Sequence, residues 1–188
     1  MGRKWINDFQ QKLRYSLEVQ QKFDIAILKN HIPDCVSIEK TDEKTDKQGI
    51  DYVATLKNGA KIYIDAKTRE KGCSRYWRGE PELAIETYSV IKEWNGIEIG
   101  NTGWTFKTDS DVDYILYTFP EKDCKEFFFI PFQLLRKAAI ENYHLWKSKF
   151  PTKRQANKSY QSEAMFVPAN VVLEAVTNTM RDTNYQKE

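Results

Sequence analysis

Residues 49–67 read GIDYVATLKNGAKIYIDAK. Two β-rich runs, Ile50–Leu56 and Ala60–Ala66, flank Lys57-Asn58-Gly59, and an Asn-Gly pair between such runs marks a hairpin. Period-two alternation puts Ile62, Ile64 and Ala66 on one face of the second strand and Asp65 and Lys67 on the other. The turn then decides where Asp51 lies. A two-residue Asn58-Gly59 turn pairs Tyr52 with Asp65 and sends Asp51 to the opposite face. A three-residue loop with a left-handed Gly59 instead sets Asp51 across from Asp65, their carboxylates within ~5 Å at the hairpin's open end. Such a pair repels itself and persists most readily around a divalent cation. Lys67, one pleat further, is close enough to reach a phosphate or a metal-bound water, which suits phosphodiester hydrolysis.

Asp-x-Lys tripeptides are common, and the chain has three: Asp42 to Lys44, Asp65 to Lys67 and Asp123 to Lys125. Asp42 and Asp123 fall in charged loops. Asp65 closes an apolar strand, and this separates it from the others.

Outward from the hairpin, Ile6, Phe9, Leu13 and Leu17, then Phe23, Ala26 and Ile27, predict helix over residues 4–30. Pro33 ends it. Val36–Lys40 suits a short strand, and the mixed-charge run 39–47 a loop. Residues 69–82 also read as loop. Leu83–Ile91 suits a third strand, residues 95–110 irregular structure, and Asp113–Phe119 a strand buried on both faces. Residues 126–130 form another. Phe129-Ile130-Pro131 and Phe166-Val167-Pro168 each lead from a strand into an amphipathic helix, proline being tolerated in the first helical turn. A meander followed by strand–helix units implies a mixed α/β layer fold.

Length and composition bound the rest. The 188 residues favour one domain. With 40% hydrophobic and 30% charged residues, the chain is too apolar for disorder and too polar for a membrane protein. No run spans a bilayer and no secretory leader is legible. Cys35, Cys73 and Cys124 are odd in number and far apart, which predicts reduced thiols in a cytosolic protein rather than disulfides or a thiolate zinc site. His31 and His144 are the only histidines, against an imidazole-rich metal centre. Serine-hydrolase elbows and phosphate-cradling glycine loops are missing.

Net charge is only +2, so a polyanion partner must be argued from local clusters. Residues 67–78 carry five basic residues against one acid, with Tyr76 and Trp77 interleaved; residues 136–158 carry seven against one. Phosphate contact plus aromatic stacking is one reading and a solvated basic face the other. The first singles out Arg69, Arg75, Trp77, Arg78, Lys153 and Arg154.

Gly49-Ile50-Asp51 followed after the hairpin by Asp65-Ala66-Lys67 resembles the core of the PD-(D/E)xK nuclease superfamily, which includes type II restriction endonucleases and archaeal Holliday-junction resolvases. The likeness follows the order of elements over roughly residues 15–90, although Ile50 stands where the motif has proline. It implies a restriction endonuclease-like α/β/α fold with a mixed central sheet and a Mg²⁺- or Mn²⁺-dependent endonuclease acting on nucleic acid, DNA first. Asp51 and Asp65 would then ligate the metal with the Ala66 carbonyl. Lys67 would orient or deprotonate the attacking water and steady the developing phosphorane charge. Many members add a helical glutamate; Glu18 is the best-placed acid for that role, with Glu86 its rival. A homodimer is a further expectation, since many such nucleases pair to cut two strands. The competing expectation is a non-catalytic nucleic-acid- or protein-binding module on the same scaffold.

Overall fold

The computed structural model describes residues 21–42, 49–69, 72–95, 97–119, 127–156 and 160–185. The protein is α/β, and it divides into two compact units: Met1–Gly72 with Val112–Phe129, and Cys73–Asp111 with Ile130–Glu188.

The first unit is built on a mixed five-stranded sheet of order β1-β2-β3-β6-β7. Strands β1 (Cys35–Lys40), β2 (Tyr52–Leu56) and β3 (Lys61–Thr68) form an antiparallel meander. Strand β6 (Tyr114–Thr118) lies parallel to β3, and β7 (Phe127–Pro131) follows at the edge. Helix α1 (Gln21–His31) supplies Ile27 and Leu28 to a core they share with Tyr52, Ala54, Ile64 and Leu116. The helical prediction from Lys4 is therefore met over Gln21–His31, and its earlier part lies outside the described residues. At the buried end of α1 the Tyr52 hydroxyl donates to the Asp24 carboxylate, 3.1 Å away. Burial, with Asp24 second, pushes the Tyr52 hydroxyl well above the usual phenol range, so the proton stays on tyrosine.

The hairpin adopts the longer of the two turns. Leu56 N–H donates to the Ala60 carbonyl and Gly59 N–H to that of Leu56, each at 2.9 Å, while Asn58 Oδ1 accepts the Ala60 N–H. Gly59 has φ +81°, the left-handed conformation a three-residue loop asks of its last residue. The ladder accordingly pairs Tyr52 with Ile64, not with Asp65. A Cβ at Gly59 would meet nothing within 4 Å, so Gly59→Ala carries backbone strain without a clash. The expected loss is about 1 kcal/mol in urea unfolding; an unchanged midpoint would mean the turn tolerates a side chain.

The second unit holds an antiparallel sheet of order β5-β4-β9-β8. Its strands are β4 (Glu82–Trp94), β5 (Ile97–Thr102), β8 (Thr152–Ala156) and β9 (Gln161–Pro168). Helices α2 (Phe132–Lys149) and α3 (Ala169–Tyr185) pack on each other and on β9. Leu83, Ile85, Leu135, Met165, Val167 and Val172 are fully buried there. Pro131 and Pro168 each stand immediately before their helix, Pro131 at φ −58°.

Three expectations change. The strand at Leu83–Ile91 exists, but it joins this second sheet; the neighbour of β3 is β6, the strand of continuous apolar character. Residues 95–110, expected to be irregular, contain β5, whose six residues are all exposed and whose order comes from its backbone ladder to β4. The basic run after α2 contains β8, a polar edge strand paired with β9. Among the described residues no helix is long and apolar enough to cross a membrane.

Candidate functional site

Asp51, Asp65, Ala66 and Lys67 meet in the first unit, toward the carboxyl ends of the parallel pair β3 and β6, the edge where open α/β sheets commonly bind ligands. Asp51 immediately precedes β2 and is pinned through its backbone. Its N–H donates to the Ile64 carbonyl and its own carbonyl accepts the Thr41 N–H, both at 2.9 Å. The Thr41 hydroxyl also donates to the Ile50 and Asp51 carbonyls. With the main chain so held, Asp51 Oδ2 accepts the Ala66 N–H at 2.8 Å. A carboxylate thus takes over the ladder position that a continued β2 would have filled.

Asp65 is 4% exposed. Lys67 Nζ stands 2.7 Å from Asp65 Oδ1, with about a third of the lysine side chain in solvent. The register that pairs Tyr52 with Ile64 sets Asp51 across from Asp65, close enough for its carboxylate to disfavour ionisation of Asp65. Burial raises the Asp65 carboxyl from its ordinary 3.8 to about 7; Asp51 adds to that rise and Lys67 opposes it. Near neutral pH the Asp65 carboxyl therefore exchanges its proton readily, and its ionised form is steadied by the Lys67 ammonium. Asp65 aligns with Ile115, and Lys67 with Tyr117, both buried. Next to Lys67 in β3, the Thr68 and Thr118 hydroxyls bond each other across the parallel pair at 2.7 Å.

The donor set suits a small hard cation. Two carboxylates and a backbone carbonyl are oxygen ligands, and Mg²⁺ is usually held by one or two carboxylates while keeping waters and taking substrate phosphate oxygens. Among the described residues no group of three or more His, Cys, Asp or Glu is arranged to hold a metal ion. Glu18 lies outside those residues. Glu86 does not belong to this sheet: it stands on β4, where its Oε2 accepts the Trp104 N–H at 3.0 Å.

The basic residues sort by the company they keep. Arg69 follows β3 in the first unit and extends its ladder, donating its N–H to the Thr118 carbonyl. The other five belong to the second unit. Arg154 is committed internally, with its guanidinium on both Glu98 and Glu163. Arg78 pairs with Glu82 at 2.9 Å and lies over the Phe150 ring. Trp77 is half-buried at the end of a short 3-10 turn, its backbone N–H on the Ser74 carbonyl. Arg75 and Lys153 are placed differently, both over the ring of Tyr76. The Arg154 bridge had a signal in the strand register, since Arg154 stands opposite Glu163; without a predicted β8 that register was invisible.

No family model, curated protein or solved structure matches this chain.

Proposed function

We propose that the first unit is a restriction endonuclease-like core and that the protein is a Mg²⁺- or Mn²⁺-dependent nuclease, with DNA as its first substrate. The observation that carries the reading is the convergence of Asp51, Asp65 and Lys67 at one sheet edge, with a buried carboxyl against a second one and an ammonium 2.7 Å away. A bound divalent cation would supply Lewis-acid polarisation of the phosphoryl oxygens and a more acidic water. The chain's own residues do the remainder. Asp51, fixed by the Ala66 N–H, and Asp65, fixed by the strand, hold carboxylate oxygens in one place before any ligand arrives. That preorganisation avoids reorganisation during the reaction. Lys67 holds its positive charge beside Asp65, where it can orient a water and stabilise charge developing on the scissile phosphate. Cutting both strands of a duplex would call for two copies of the chain.

The second reading is a non-catalytic nucleic-acid-binding module. The observation that favours it is the lack, among the described residues, of a third acidic ligand beside the pair. Incubation with supercoiled plasmid and a single-stranded oligonucleotide, in Mg²⁺, Mn²⁺ or EDTA, separates the two. Cleavage in either metal and none in EDTA is expected, with Asp51→Asn lowering the rate by at least about 10²-fold. Binding without turnover in both metals would leave the module reading standing.

A further inference from the structure

Arg75 and Lys153 come from distant parts of the sequence and converge on one side chain. The Arg75 guanidinium lies 4.7 Å from the centre of the Tyr76 ring and the Lys153 ammonium 5.4 Å from it. Lys153 also reaches the ring of Phe166, at 5.7 Å. The two charges are therefore held no further apart than the sum of their distances to the tyrosine. Among the described residues neither has a carboxylate partner, in contrast to Arg78 and Arg154. Tyr76 keeps 59% of its surface open, and both cations are exposed. Two like charges beside one exposed ring, with no carboxylate partner among the described residues, make a small cationic surface that neighbouring backbone phosphates neutralise. The ring orders the two cations beforehand, which reduces the rotamer freedom lost on binding.

We infer that Arg75, Tyr76 and Lys153 form a docking site for single-stranded nucleic acid in the second unit, distinct from the carboxylate pair. The two cations take backbone phosphates and Tyr76 offers its open surface to a base. Cations beside an exposed aromatic match the way single strands are held without sequence preference. An acidic peptide would satisfy the charges and leave the ring unused. The choice of polymer rests on the nuclease reading; the test reads binding and not cleavage.

The full chain, in EDTA, is titrated by fluorescence anisotropy into a labelled oligothymidylate of about 20 nucleotides. The titration is repeated between about 50 and 200 mM salt. Tyr76→Ala is expected to weaken binding about tenfold. Joint replacement Arg75→Ala with Lys153→Ala is expected to reduce the salt slope by about 1.4, or about 0.7 per lost phosphate contact. Lys92→Ala, on β4, serves as the control and should bind as the unaltered chain does. Unchanged affinity and slope in the three substitutions at the site would overturn the inference. So would a Tyr76→Ala variant that binds oligothymidylate normally while polyglutamate competes equally well, because that outcome assigns the face to an acidic protein. Thermal melts by circular dichroism verify that each variant is folded. If these losses appear and Mg²⁺-dependent cleavage does not, the docking site stands and the nuclease reading falls; normal binding in a cleaving protein sinks the docking site alone.

Discussion

Asp65→Ala is expected to lower Mg²⁺-dependent cleavage by about 10³-fold or more, with the chain still folded. The large effect follows from position. Asp65 sits within β3, aligned with buried Ile115 on the adjoining parallel strand, and is itself almost fully buried. It is also the residue that pairs with Lys67, so one substitution removes a proposed metal ligand and releases the ammonium from its place. Stability should survive for the same electrostatic reason: the native carboxyl is already costly to ionise. The matching measurement is initial cleavage rate beside a thermal melt, each at neutral pH. A variant with normal melting and normal metal-dependent cleavage would remove Asp65 from the site altogether.

The second large expected effect is on stability against pH. Asp65 has its folded pKa near 7, above the ordinary 3.8. Between those two values the folded chain holds a proton that the unfolded chain has given up. Stability from this group is therefore complete below about pH 4, declines as pH rises, and is gone above about 7. At 1.36 kcal/mol per unit the full span is about 4 kcal/mol. Urea unfolding of the original chain and of Asp65→Asn at several pH values isolates the contribution as a difference. That difference should shrink steadily from about pH 4 to 7 and stay level beyond. A difference independent of pH would mean that Asp65 titrates as an ordinary carboxyl. The same proton competes with a cation, so Mg²⁺ affinity should climb by up to tenfold per unit on the acid side of 7 and then level off.

Much of the site can be read in residues 49–67 because it is local. Apolar alternation places Ile62 and Ile64 on the helix-covered face and so fixes the face of Asp65 and Lys67. The register was open between two turns, and the choice depended on Gly59 entering the left-handed region, which its lack of a Cβ permits. What was not legible is non-local or unpatterned. The apolar character of Leu83–Ile91 announces burial but says nothing about which sheet supplies the partner, and the partner is β9, some 80 residues away. Strands β5 and β8 are mostly exposed edges, so burial leaves no alternating trace in them. Missing β8 also hid the pairing of Arg154 with Glu163, so the ion pairs of a residue read as a nucleic-acid contact were not foreseen. The remaining basic residues divide in the same way, by whether a carboxylate stands nearby, a property of three-dimensional neighbours and not of charge runs.

The chain passes from one compact unit to the other and back, with Cys73–Asp111 intervening between the strands that become parallel neighbours. No single cut can divide such a protein into two intact halves. During synthesis the carboxylate hairpin leaves the ribosome well before Tyr114–Thr118 does, and must wait with one flank uncovered until that strand arrives. Deletion mapping by progressive shortening from the carboxyl end would therefore report lost architecture long before it reached any residue of the chemistry.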